Sequence, residues 1–402
     1  MKNLLKALLY ATVLIAASGS FASLALGGGD AADSTIAEPP AACVTIAAVG
    51  DLLMHLPIGD SVFVRETNSY AFDRVFAPIA PYLSWCDYSV ANLETRIAGT
   101  HIAYRGYPRF NTPADLAGHL GDAGFDLMAT ANNHCLDWGW AGIVNTLNAV
   151  DSAGLQRVGT YGDPEEKREP FLVDLYGIRI AFLNYTSSTN GLTIQPEYRF
   201  AYNMLDFEVA ATEAALAREN GADLVIAIVH FGEEYQRTVS PSQRDAAQRL
   251  CEAGVDVIIG SHPHVVQPIE KIVVERDGEL VECVVAWSLG NFVSCQREMY
   301  RDSGIILYLE IEKIGARTTV CGVSYLPVWV QQGRTDGGTR YRILPVHEDI
   351  PPESDVPLTE RDLARMREVW EELNALLMDR ENGILPWDCD MLGQYPAHNW
   401  HL

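Results

Sequence analysis

The sequence predicts an α/β fold with two sheets, on three observations. A unit of helix, Gly-Ala-Asp or Gly-Val-Asp, short apolar strand and polar turn recurs up to about residue 264. Its strands are nearly continuous apolar runs, as expected for a sheet covered on both faces by helices. Beyond residue 271 strands follow one another with few helices between them, which predicts a second, more antiparallel sheet.

Taken in order, residues 43–50 (CVTIAAVG) form an apolar strand that stops at Gly50-Asp51. Residues 82–94 (YLSWCDYSVANLE) repeat that shape, an apolar run ending in polar atoms. Residues 112–124 read as a helix with Thr112 as its cap and Pro113 at its first position. Residues 125–134 (FDLMATANNH) read as a strand and polar turn, and 139–153 as a helix. Residues 171–176 and 179–184 read as strands paired around Gly177. Helix 206–220 precedes strand 221–232, which carries a histidine near its end. Helix 240–254, capped by Ser240, precedes strand 255–264. The later strands are IVVERDG, CVVAWSLGNFV, GIILYLEIEK and TVCGVSYLPVWV. Residues 351–380 are polar and helical.

Composition limits the function. The 402 residues are 48% hydrophobic, enough for a sizeable core. Lys and Arg number 29 against 53 Asp and Glu, a net charge of −24. Backbone binding to nucleic acid needs a basic footprint, so no nucleic-acid partner is expected. An anionic substrate would need a local positive group such as a metal ion. Residues 1–29 have the layout of a signal peptide or N-terminal anchor: Lys2 and Lys6, an apolar run, then small residues. They predict an extracytoplasmic protein, secreted or anchored at the cell membrane. Residues 30–42 read as a linker, 43–347 as the main domain and 348–402 as a C-terminal helical extension. The eight cysteines show no CxxC, and several sit in apolar runs where a free thiol packs as a small core residue.

The chemistry lies beyond the strands, where α/β folds carry their ligands. Asp51 and His55 follow the first apolar strand, and Asn92 and Glu94 end the second. Asn132, Asn133, His134 and Asp137 follow the third; His230, Glu233 and Glu234 the fourth; His262 and His264 the fifth. Each alone also fits a cap, a turn or a packed histidine. Together they match the donor set of Mn, Zn or Fe ions. In an extended His-Pro-His segment the two imidazoles face one side. The joint pattern predicts two divalent cations sharing a carboxylate, with an imidazole such as His134 to protonate a leaving oxygen. Asp137 would hold His134. Glu233 would do the same near His230, and Asn291 would lie in a turn beside the pocket. Arg105 and Arg109, in the loop HIAYRGYPRF, would present guanidinium forks to carboxylate or phosphate.

The motifs GDLLMH, NLET, ATANNHCLDWG, VHFGEEY, GSHPHVVQ and SLGNFV, in this order, resemble the capsule-synthesis protein A family of poly-γ-glutamate synthesis and export components. The resemblance covers roughly residues 43–330. That family resembles the calcineurin-like metallophosphoesterases, which implies a four-layer αββα sandwich of two mixed sheets flanked by helices. It implies metal-ligand positions at Asp51, Glu94, Asn133, His230, His262 and His264, and catalytic positions at His134 and Asp137. The pattern departs from Asp-x-His at its start, since the next histidine, His55, stands four residues after Asp51. His55, Asn92, Arg105, Arg109, Glu233 and Asn291 are expected as substrate contacts. The implied function is capsule or poly-γ-glutamate biosynthesis or export, within a membrane synthase or export complex. The alternative is a metal-dependent phosphoesterase or amide hydrolase acting on a phosphorylated or other surface substrate.

Overall fold

The computed structural model describes residues 42–335, 338–347 and 357–388. The expected leader 1–29 and the linker up to residue 41 lie outside the described residues, as does the tail from 389.

The long elements are β1 (Ala42–Leu52), β2 (Tyr88–Asn92), α1 (Asp115–Asp122), β3 (Leu127–Ala129), α2 (Gly139–Ser152) and β4 (Gln156–Val158). There follow β5 (Leu172–Leu175), β6 (Ile178–Thr186), α3 (Phe207–Glu219), β7 (Leu224–His230), α4 (Pro241–Glu252) and β8 (Val257–Ser261). The chain continues through β9 (Ile269–Arg276), β10 (Glu279–Ala286), β11 (Asn291–Val293), β12 (Ser303–Ile314), β13 (Arg317–Thr335) and β14 (Gly338–Pro345). It ends in α5 (Glu360–Leu377) and β15 (Ile384–Pro386).

A nine-stranded sheet runs β14-β13-β12-β1-β2-β3-β4, with β11 on β1 and β15 on β13. A six-stranded sheet runs β9-β10-β8-β7-β6-β5. In the six-stranded sheet the parallel strands β10, β8, β7 and β6 lie between antiparallel edges, whereas in the nine-stranded sheet β1 to β4 pair in parallel out to one edge and β12 to β14 form the antiparallel half. The alternation along β1 shows the layering. Val44, Ile46 and Ala48 join Ile180, Phe182, Ile226, Ile228 and Ile259 of the second sheet in one apolar cluster. Ala47 and Val49 join Leu116 and Leu120 of α1 in another. On the far side, Ala181, Val225 and Ala227 pack against Ala214 of α3 and Leu250 of α4. Each sheet thus has helices on one face and the other sheet on its opposite face, the αββα sandwich.

This corrects how strands were assigned to sheets. The sequence places 221–232 and 255–264 in a helix-covered sheet and all later strands in a second. In the structure β7 and β8 pair with β6 and β10, while β12 to β14 return to β1. Continuous apolarity reports burial on both faces, and a sheet buries a strand as well as a helix does. Two local readings also change. The run 82–94 splits into a short helix, Ala80–Ser84, with Pro81 in its first turn, and β2. Helix α1 begins at Asp115, and Thr112 does not cap it, because its hydroxyl meets Thr95 Oγ1 at 2.6 Å. The cap at Ser240 forms as expected, and Asp206 caps α3 as well.

Helix α5 opens with a capping box between Thr359 and Asp362. Met366, Val369, Leu373 and Leu377 recur at helical spacing and join the inter-sheet cluster. One face of α5 is therefore part of the core.

Two glycines let the sheet ends approach the site closely. A Cβ on Gly50 would lie 2.0 Å from Gly290 O, and one on Gly260 2.0 Å from Trp287 O, both backbone atoms that cannot swing away. Gly50→Ala and Gly260→Ala are each expected to cost roughly 1–3 kcal/mol or more. Urea denaturation checks this, and midpoints equal to wild type would refute it.

Candidate metal centre

Strand register assembles the site. Asp51 pairs with Asn92 across β1 and β2, and Asn92 with Ala129 across β2 and β3. In the second sheet Ser261 pairs with His230 across β8 and β7. The chain beyond β2, β3 and β8 then delivers Glu94, Asn133, His262 and His264 to the same place.

The His-Pro-His segment is not extended. His262 and His264 have φ of 100° and 58°, in the left-handed region that non-glycine residues seldom occupy. Their rings converge, with centroids 6.0 Å apart, because the chain turns tightly beyond β8. The expected pairing holds, but a strained turn produces it rather than strand alternation.

Two overlapping donor groups result: Asp51, Glu94 and His230, and Glu94, His262 and His264, each with donor atoms within 4.8 Å of one another. Glu94 Oε1 is 3.6 Å from His230 Nε2 and 3.8 Å from His264 Nε2. Asn133 Oδ1 lies 3.1 Å from His230 Nε2. Asp51 Oδ2 lies 2.9 Å from His264 Nδ1, and its Oδ1 accepts from Asn92 Nδ2 at 2.7 Å. His230 Nδ1 is 2.9 Å from Ser261 Oγ, which leaves Nε2 facing Glu94.

The electrostatics identify what the cluster lacks. Glu94 is fully buried, and neither carboxylate oxygen has a hydrogen-bond partner among the described residues. Burial first, then the adjacent Asp51 charge, push its carboxyl well above the usual range. Burial, then the neighbouring His262 and His264, push His230 well below the ordinary histidine value. Burial and His264 lower His262 to about 4, and its buried Nδ1 has no partner among the described residues. A buried carboxylate without donors, ringed by imidazoles that resist protonation, is costly unless a cation fills the gap. Oxygen and nitrogen donors of this kind fit divalent cations, and Glu94 belongs to both donor groups.

Beside this cluster, Asp137 takes both its oxygens to within 3.1 Å of His134 Nδ1 and accepts from Phe110 N at 2.7 Å. The contact fixes the ring and leaves Nε2 as its other functional atom. Phe110 packs edge-on against His134 at 4.7 Å and against His55 at 5.6 Å.

The other predicted residues divide. His55 and Arg105 line a cavity of about 270 Å³ with Tyr70, Tyr104 and Asn111. His55 Nδ1 lies between Leu53 O and Cys295 N, and the Arg105 guanidinium sits over Trp138. Asn92 and Asn291 are buried and engaged within the protein. Asn92 bonds Asp51 and Asn132, while Asn291 bonds Gln296 and Arg301 O. These bonds suit Asn92 to holding the site, whereas Asn291 Oδ1 is buried without a hydrogen-bond partner among the described residues. Glu233 is exposed, and its neighbour Glu234 is the charge felt by Glu94 and His262. Arg109 is also exposed, without an ion-pair partner among the described residues. Sequence reasoning missed Arg96, which is fully buried. It donates to Leu93 O at 2.7 Å and lies close enough to Glu94 and Asp137 to feel both charges. The signal was a lone cation in the uncharged run that follows Glu94.

Comparison with known proteins places the chain in a family. The family profile described as "Bacterial capsule synthesis protein PGA_cap" matches residues 45–296. The chain is 29% identical over 279 residues to the capsule biosynthesis protein CapA of Bacillus anthracis, covering 66% of this chain and 63% of that one. It is 28% identical over 272 residues to the PGA biosynthesis protein CapA of Bacillus subtilis, covering 65% and 66%. The match thus spans just under two thirds of these relatives' lengths. Among solved structures, the NAD nucleotidase of Haemophilus influenzae aligns with a TM-score of 0.45 and 11% identity, over 87% of this chain and 58% of that one. The profile covers well over half of the chain, including every residue of the two donor groups, and the chain belongs to the bacterial capsule synthesis protein PGA_cap family.

Proposed function

We propose that this protein acts outside the cytoplasm in making, exporting or attaching an anionic polymer, poly-γ-glutamate, through a site that holds two divalent cations. The observation that carries the reading is Glu94, a buried carboxylate with no hydrogen-bond partner among the described residues that belongs to both donor groups. Asp51, Asn133 and His230 would complete one cation's shell, and His262 and His264 the other's. Such ions polarise carboxylate or phosphoryl oxygens and make water more acidic. The names of the two Bacillus relatives support the polymer. The leader-like segment 1–29 supports the compartment, and a membrane synthase or export complex follows as the partner. Among the described residues no helix is long and apolar enough to cross a membrane.

A second reading rests on the His134–Asp137 pair. A ring held at Nδ1 by a carboxylate presents Nε2 to donate a proton to a leaving oxygen, as in a phosphoesterase or amide hydrolase. Elemental analysis of the purified protein tests the first requirement. His262→Ala is expected to lower the metal content, and unchanged content would remove that ligand. Turnover of a generic phosphoester that falls roughly 100-fold or more in His134→Ala would favour hydrolysis. Metal-dependent polyglutamate binding without turnover would favour the polymer role.

A further inference from the structure

We propose that Arg301, held on the ring of Tyr235, is the oxyanion-binding group at the rim of the metal centre. The inference builds on the metal reading and adds the residue that recognises the ligand's charge. Tyr235 follows Glu234 just beyond β7, and its backbone N–H donates to Pro263 O at 2.7 Å. That bond ties it to the turn carrying His262 and His264, and its ring centroid lies 6.0 Å from that of His264. Tyr235 has a φ of 67°, a left-handed conformation that tethering to Pro263 sustains. The Arg301 guanidinium carbon lies 3.4 Å from the centre of the Tyr235 ring.

Arg301 is anchored from its other end as well. Its carbonyl accepts from Asn291 Nδ2 at 2.8 Å, and Asn291 is the register partner of Asp51. Gln296 bridges the two, with Oε1 3.0 Å from Asn291 Nδ2 and Nε2 3.4 Å from the Tyr235 hydroxyl. One guanidinium is therefore positioned from both sheets, through Asp51's neighbour and through the histidine turn. Its side chain is 26% exposed, and its ion pair with the exposed Glu298 spans 3.7 Å. An exposed pair at that distance contributes little and yields readily to a better anion. A guanidinium lying on an aromatic face keeps its in-plane N–H donors free to grip two oxygens.

This role was expected of Arg105 and Arg109. Arg105 instead lies over Trp138, Arg109 is exposed, and neither is linked as Arg301 is to both the register partner of Asp51 and the tyrosine bonded to the histidine turn. In a chain of net charge −24, with Glu234 close by, a fixed cation at the rim decides whether an anionic ligand can approach. The ligand chemistry is a carboxylate or phosphate oxyanion.

Titration calorimetry of the full chain, with and without Mn²⁺, measures the affinity for two probes, inorganic phosphate and a γ-linked glutamate trimer. The probe bound more tightly by wild type identifies the oxyanion. Arg301→Met is expected to weaken that probe at least about tenfold, the usual scale for losing a charge-assisted bond. Arg301→Lys should recover part of it. Tyr235→Leu should weaken it less, and adding that change to Arg301→Met should cause little further loss. Metal content and circular dichroism of Arg301→Lys guard against misfolding. Affinity in Arg301→Met equal to wild type, or wild type binding neither probe, overturns the proposal. Elemental analysis of His262→Ala reports separately on the metal centre, so either idea can fail without the other.

Discussion

Glu94→Gln is expected to abolish binding of both cations and, at the same time, to stabilise the metal-free protein at neutral pH. The first effect follows from the shared position of Glu94, which contributes to both donor groups. A neutral amide keeps the size of the side chain but supplies no charge to offset two cations. The second follows from the missing partners. Both Glu94 oxygens are buried without donors among the described residues, and burial with the Asp51 charge raises its carboxyl. The folded protein therefore keeps a proton that the unfolded chain releases at the usual carboxylate value. Stability falls as pH rises from about 4.3 towards the raised folded value, and at pH 7 the penalty is present. Gln carries no ionisable proton, so the variant lacks this linkage penalty, worth about 1.4 kcal/mol for each unit by which pH exceeds the unfolded carboxyl value, up to the raised folded one. Urea denaturation in chelator, alongside elemental analysis, reads both effects. A metal-free variant less stable than wild type would mean that an unseen partner satisfies Glu94.

The second large effect runs the opposite way with pH. His55 is lowered to about 4 by burial, with His264 and Arg297 adding to it, and His262 is lowered to about 4 by burial and His264. For these bases the unfolded chain takes up a proton near pH 6.5 while the folded chain resists it. Their stabilisation is complete above about 6.5 and is lost as pH falls to about 4, costing roughly 3 kcal/mol for each histidine. His230, also depressed, adds in the same direction. In wild type the Glu94 relief partly masks this loss, so Glu94→Gln is the background in which to see it. Denaturation midpoints at pH 7, 5 and 4 should fall steeply there, and adding His55→Gln should flatten the fall. An unchanged slope would mean that His55 protonates freely in the folded protein.

Much of the site was legible because its residues sit where apolar runs end. A strand buried on both faces can carry polar atoms only at its tip, so CVTIAAVG before Asp51 and LVIAIV before His230 announce their own function. Asn92 and Asn291 were read as substrate contacts because a polar residue in such a place does not disclose its partner. Burial and its bonds to Asp51 and Asn132 made Asn92 a support, while Asn291 bonds Gln296 and Arg301 through Nδ2 alone. Glu233 and Glu234 are adjacent and chemically equal, and only the path of the backbone put the second near the cluster.

The amino-acid sequence alone determined the α/β class, the cap at Ser240 and the polar residues at the strand ends, since these depend on local periodicity and residue type. The tertiary structure alone decided which strands share a sheet, that His262 and His264 meet through a left-handed turn, and that Arg301 reaches the rim from 37 residues beyond His264. Those outcomes depend on contacts between segments distant in sequence, and no local pattern of residues encodes which distant surface a segment will meet.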